Sequence, residues 1–245
     1  MQAHWSIDES AIESWRALVK ANKTKILVQR RIERNIGREG VDLSKQSLWR
    51  AMVGCQVTTQ QRSGPNSIVG KFIDEESKSP SPVLSYVICR RQPDLQTFLA
   101  DALRKAGLWR AEPVAKNLAQ IMANLEAGQW QTLLSHLRTL EKNTTMLKER
   151  KVARYLQSKT FPGIGPKQSR NYIQWLGLSR YEVPIDSRVV KALKLCGANF
   201  VPNSTALGDE SVYVFVQDAL QEIARRIDIF PCVLDAAIFA SFEPS

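Results

Sequence analysis

The chain has 245 residues, 44% of them hydrophobic, enough for one large domain or two lobes sharing a cleft. Lysine and arginine outnumber aspartate and glutamate 34 to 24, a formal charge of +10 that suits a polyanionic partner. Cys55, Cys89, Cys196 and Cys232 form no CxxC pair or close cluster, which argues against zinc, an iron–sulfur centre or another metal cofactor.

The apolar periodicity predicts an all-α protein of about ten helices, since alternating runs are short everywhere. Residues 8–36 place Ile12, Trp15, Leu18 and Val19 at helical spacing and end near Gly37 and Gly40. Leu48 to Gln61 reads as a buried helix with a polar end, broken at Gly64-Pro65, with another helix to about Ile73. The stretch DEESKSPSP, residues 74–82, is the most linker-like. Stripes at Leu95–Ala106, Val114–Leu125 and Trp130–Leu140 read as core helices. Beyond residue 200, Val212 to Ile227 forms one amphipathic helix, and Pro231 opens a short last one. No internal repeat, low-complexity segment or apolar run of bilayer length interrupts this pattern, and no signal-peptide pattern opens it. A cytoplasmic location is the expectation. The two histidines, His4 and His136, stand beside no plausible nucleophile or ligand set, so histidine chemistry is not expected.

The charge is concentrated. Residues 148–194 carry eleven basic side chains against three acidic ones, a local +8 that leaves +2 for the rest of the chain. At the centre of this segment stands FPGIG, residues 161–165, between two helices with matching apolar faces: Val152, Tyr155 and Leu156 before it, Tyr172, Ile173 and Leu176 after it. Glycine permits the positive φ and close approach of so tight a helical hairpin. Ile164 is expected to point inward, while the amides around Gly163 and Gly165 sit at a helix N-terminus, where a phosphate oxygen is a natural acceptor.

Lys167 lies in the first turn of the second helix, where the positive end of the helix dipole should depress its pKa. Nineteen residues later, Val183-Pro184-Ile185 delivers Asp186 to the start of another helix, a position suited to an N-cap. Taken separately, the lysine reads as a phosphate contact and the aspartate as a cap.

Phe161-Pro162-Gly163-Ile164-Gly165, with Lys167 and Asp186 behind it, resembles the helix-hairpin-helix DNA glycosylase superfamily. The resemblance covers about residues 45–195. It implies a hairpin over residues 146–177 and two helical lobes around a cleft, one of about 45–140 and one of the N-terminal segment with about 141–245. It further implies a monomer acting on damaged, double-stranded DNA in a bacterial or archaeal nucleoid, without a cofactor. The lysine implies a combined glycosylase and AP lyase: Lys167 attacks C1′ of a flipped nucleotide and Asp186 stabilises the cationic transition state. Gly163, Ile164, Gly165, Arg154, Arg170 and Arg188 are the implied DNA contacts. A glutamine of AMVGCQVTTQQRS is implied to fill the gap left by the flipped base; Gln56 and Gln60 both fit, with Gln60 preferred. Only Cys196 and Cys232 follow Asp186, which turns the comparison from cluster-bearing members toward 8-oxoguanine glycosylases. Phe239 and Phe242 are candidates to stack on the extruded base, or equally to pack the last helix. A non-catalytic DNA clamp and a monofunctional glycosylase remain the alternatives.

Overall fold

The structure, a computed structural model, describes residues 5–61, 64, 66–74, 77 and 79–243. His4, Pro65 and residues 75, 76 and 78 of the 74–82 stretch therefore lie outside the described residues. Among those described there are thirteen α-helices and no strand. In chain order the helices are α1 (Glu9–Asn22), α2 (Ile26–Arg31), α3 (Lys45–Val57), α4 (Ile68–Ile73), α5 (Tyr86–Arg90), α6 (Leu95–Lys105) and α7 (Ala111–Asn124). They continue as α8 (Trp130–Arg138), α9 (Met146–Leu156), α10 (Pro166–Trp175), α11 (Ser187–Leu195), α12 (Glu210–Arg226) and α13 (Pro231–Ser241). The number exceeds the sequence expectation because α2, α4 and α5 have six residues or fewer, too short for a full apolar period to register. None is long and apolar enough to cross a membrane.

Two principal apolar clusters divide the core. The first joins Leu48, Trp49 and Met52 of α3 to α6, α7 and α8, and takes in the hairpin through Val152, Leu156, Phe161, Ile164, Tyr172 and Ile173. The second gathers Ile12 and Trp15 of α1 with Val183, Ile185, Val189, Tyr213, Val216 and Leu234, so the N-terminal helix completes the C-terminal core. A smaller third cluster packs Val28 of α2 on Ala236 and Ala237 of α13.

The chain passes from the first cluster, which ends at Leu178, to the second, which begins again at Val183, through Ser179–Glu182. An earlier passage at residues 35–38 lies alongside. Asn35 Nδ2 donates to the carbonyls of Gln174 and Ser179 at 3.1 and 2.8 Å, and Arg180 Nη2 donates to Ile36 O at 2.8 Å. Gly177 has φ +75°, and a Cβ there would come within 2.9 Å of the Arg34 carbonyl; the two passages approach too closely for any side chain.

Candidate active site

The α9–α10 hairpin closes around Gly163, which has φ +78°. A Cβ at this position would lie 2.2 Å from Asn117 Nδ2 and 2.8 Å from Gln56 Oε1, so both backbone geometry and space require glycine. Gln56 is buried and donates from Nε2 to Pro162 O at 2.8 Å, tying α3 to the back of the turn. Ile164 is buried, as expected, within the first cluster. Gly165 makes neither demand. Its φ is −96°, ordinary extended backbone, and a Cβ there would meet nothing within 4 Å. No side chain caps α10 and Pro166 occupies its first turn, leaving the amides beyond it open to an anion.

Lys167 follows on this open turn. Burial holds its ammonium below the ordinary lysine range, with like charge from Arg188 adding to the effect and Asp186, Cys55 and Asp235 opposing it. The direction is the expected one, but the main cause is desolvation rather than the helix dipole. Lys167 forms no ion pair with Asp186 among the described residues; the carboxylate acts on it through space. Asp186 caps α11: Oδ1 accepts from the amides of Arg188 and Val189 at 2.8 and 3.1 Å, and Oδ2 from Arg188 Nη1 at 3.2 Å. The Arg188 guanidinium in turn lies 3.9 Å from the Phe239 ring centroid.

Lys167 and Asp186 line one cleft of about 1370 Å³. Its walls include Thr58 to Gln61 after α3, Gly163 and Gly165 of the hairpin, Val201 to Ser204, and Phe242. Gln60 is exposed at the rim with φ +56°, uncommon for a residue with a side chain, and its Oε1 accepts from Arg110 Nη1 at 2.6 Å. Beside Arg110 stands Trp109, 70% exposed. Of the two glutamines, Gln56 is committed to the turn and only Gln60 lines the cleft.

Such a cleft combines a cation-compatible carboxylate, an amine biased toward its neutral form and open helix amides. The architecture has known counterparts. The Thermotoga maritima 8-oxoguanine DNA glycosylase superposes with a TM-score of 0.65 and 16% identity, over 96% of this chain and 98% of that one. The Methanocaldococcus jannaschii 8-oxoguanine DNA glycosylase gives 0.65 and 15%, over 93% and 91%. The Methanocaldococcus jannaschii 8-oxoguanine glycosylase/lyase, in complex with a 15mer DNA containing 8-oxoguanine, gives 0.64 and 12%, over 94% and 96%. No protein-family model and no curated protein matches the chain.

The chain has the fold of these glycosylases.

Within this glycosylase fold one implied DNA contact is corrected. Arg170 is fully buried: Nε donates to Glu182 Oε2 at 2.9 Å, and Nη1 and Nη2 donate to the two Glu210 carboxylate oxygens, each at 2.7 Å. With its donors spent inside, it cannot meet a phosphate. Its spacing on α10 placed it on the inner face of the hairpin, where arginine stands only because two carboxylates await it. Arg154, by contrast, is exposed and only 3.6 Å from Glu210, free to swing outward. Phe242 lines the cleft beneath Lys191, whose Nζ is 5.1 Å from the ring centroid. Phe239 lies under Arg188 and is absent from the lining.

Asp235 of α13 escaped the sequence reading. It pairs with Arg31 at 3.2 Å, and burial pushes its carboxyl up to about 6, against the pull of Arg31 and with a further push from Asp186. The signal was present: a lone acid in the otherwise apolar VLDAAIFASF. His136 stacks on Tyr155 at 3.9 Å, away from the cleft lining. All four cysteines are buried free thiols, and no group of metal-ligating side chains occurs among the described residues.

Proposed function

We propose that the protein is a base-excision DNA glycosylase with AP lyase activity, acting on oxidised guanine, 8-oxoguanine above all, in double-stranded DNA. The observation that carries this reading is the placement of Lys167, an uncapped helix N-terminus and Asp186 in one cleft. The fold shared with the Thermotoga and Methanocaldococcus glycosylases supports it. The duplex runs across the cleft between the two lobes, with Arg154, Arg188 and the Gly163–Gly165 turn against its backbone.

The damaged nucleotide leaves the stack because C1′ is unreachable inside the duplex. The lone pair of neutral Lys167 attacks C1′, and the electron pair of the C1′–N bond departs with the base, which takes a proton. Ring opening and loss of the amine proton give a Schiff base. Loss of a C2′ proton then expels the 3′ phosphate by β-elimination. Asp186 opposes the positive charge that builds on the sugar.

Reduction with borohydride on an abasic or 8-oxoguanine duplex tests the reading, because a lysine Schiff base becomes a permanent adduct. An adduct that disappears in Lys167→Gln is the expected result. The full N-cap geometry of Asp186 favours one alternative, a clamp without chemistry, which would leave neither adduct nor free base. A monofunctional enzyme would release base and leave the strand intact until alkali.

A further inference from the structure

Lys167 stands on the hairpin, packed in the first apolar cluster, whereas Asp186 heads a helix of the second. The four residues Ser179 to Glu182 carry the chain from one to the other, beside the direct ties of Gln157 and Arg170 to Glu210 of α12. All three amides of residues 180–182 go to one side chain. Glu149, fully buried on α9, accepts from Arg180 N at 2.8 Å through Oε1, and from Tyr181 N and Glu182 N at 2.9 and 2.8 Å through Oε2. Ser179 Oγ and Thr144 Oγ1 add bonds at 2.8 and 3.0 Å. The Glu182 side chain of the same crossing is held from both hairpin helices, paired with Arg170 of α10 at 2.9 Å and with Arg150 of α9 at 3.0 Å.

We propose that Glu149 is a positioning residue of the reaction: by gathering the crossing's amides onto the hairpin, it fixes where Asp186 stands relative to Lys167. This rests on the function proposed above. A buried carboxylate is a costly way to stabilise a turn, since its desolvation opposes the charged form and pushes the Glu149 carboxyl upward against its five hydrogen bonds. What only an acceptor with two oxygens can do is collect three successive amides at once. Only Val183, Pro184 and Ile185 stand between the crossing and the carboxylate, and Val183 N and Ile185 N are each bonded to α12, through Gln217 Oε1 at 3.2 Å and Tyr213 Oη at 2.6 Å.

The test compares wild type with Glu149→Gln, which keeps the volume but turns an amino group toward amide donors. Single-turnover excision from an 8-oxoguanine duplex, borohydride trapping on an abasic duplex, DNA affinity and thermal unfolding are measured together. A misplacement on the ångström scale should slow excision and trapping by about a hundredfold while affinity stays within about threefold, because Arg154 and the Gly163–Gly165 turn lie on the hairpin side of the crossing and only Arg188 of the proposed backbone contacts moves with Asp186. Amide exchange at residues 180–182 should quicken. Should Glu149→Gln fail to fold, Glu149→Asp, which withdraws the carboxylate by one methylene, is expected to show the same split. A folded variant with the wild-type rate overturns the proposal, as does one whose rate and affinity fall together with its folded fraction. Wild-type protein that neither excises nor traps overturns the functional reading first, and this proposal with it.

Discussion

Gln60 Oε1 and Arg110 Nη1 meet at 2.6 Å, joining the end of α3 to the start of α7 across one rim of the cleft. The bond holds a glutamine whose backbone already sits in the left-handed region, an arrangement that strains a residue with a side chain. If this glutamine fills the gap left by an extruded base, Gln60→Ala should slow excision from a duplex by about tenfold, one lost filling contact being worth roughly 1.4 kcal/mol. Arg110→Ala should act in the same direction. Neither should affect a lesion in single-stranded DNA, which has no gap to fill. Rates measured on paired and single-stranded substrates check this, and equal losses on both would remove Gln60 from that role.

Arg154 and Arg170 are sixteen residues apart and looked equivalent, yet one is exposed and the other sealed. Each phosphate contact contributes about 0.9 to the slope of log K against log salt. Arg154→Ala should lower that slope by about this amount with little change in stability. Arg170→Met should leave the slope unchanged and destabilise by about 3 kcal/mol, because Glu182 and Glu210 lose the buried arginine between them and keep only Arg150 and the more distant Arg154. Salt titrations and denaturant unfolding of the two variants distinguish them.

This pair also marks how far the sequence was legible. Apolar periodicity carried the long helices, and the hairpin was readable because Gly163 has a backbone and a space that only glycine fits. Arg170 was misassigned because sequence cannot say that Glu210, forty residues on, returns to meet it. The same holds for Asp235 and for Glu149. Their partners lie in distant segments, Arg31 on α2 and the amides of residues 180–182, and backbone amides leave no trace in composition.

The depressed pKa of Lys167 predicts a pH profile. Burial favours the neutral amine, the attacking species, so the trapping rate should rise with pH and level off below the pH at which an ordinary lysine would. Arg188→Ala removes a like charge, and the rise should then move to higher pH. Initial trapping rates across the alkaline range give the comparison; a midpoint that stays put would show that Arg188 has no hold on the amine.

Asp235 makes a separate prediction about stability. Its carboxyl is raised from 3.8 to about 6, so the folded protein binds a proton that the unfolded chain has released. The stability from the neutral form is complete below about pH 4 and is lost as pH rises through about 6. Asp235→Asn has no such proton to lose. Relative to the variant, wild type should give up on the order of 2 kcal/mol between these limits. Denaturant unfolding at pH 4.5 and 7.5 measures it, and parallel behaviour of the two proteins would mean that Arg31 keeps the carboxylate charged throughout.

Asp186 is both a cap and the proposed electrostatic partner of Lys167, and the two roles separate when the carboxylate becomes an amide. Its Oδ1 holds the amides of Arg188 and Val189, a task asparagine performs nearly as well, so Asp186→Asn should unfold within about 1 kcal/mol of wild type. Its charge cannot be replaced in this way. Where a cation develops on the sugar inside a closed site, losing the facing carboxylate should slow excision by about a hundredfold or more. Binding should hold or strengthen, since Arg188 is released from Oδ2 and a negative charge no longer faces the phosphates. The lysine should also lose the influence that raises its pKa, so more of it is neutral at a given pH and slow excision cannot be blamed on a protonated amine. Single-turnover rates, affinity and unfolding of this one variant therefore decide the matter: a folded Asp186→Asn protein that excises at the wild-type rate would leave Asp186 a cap alone.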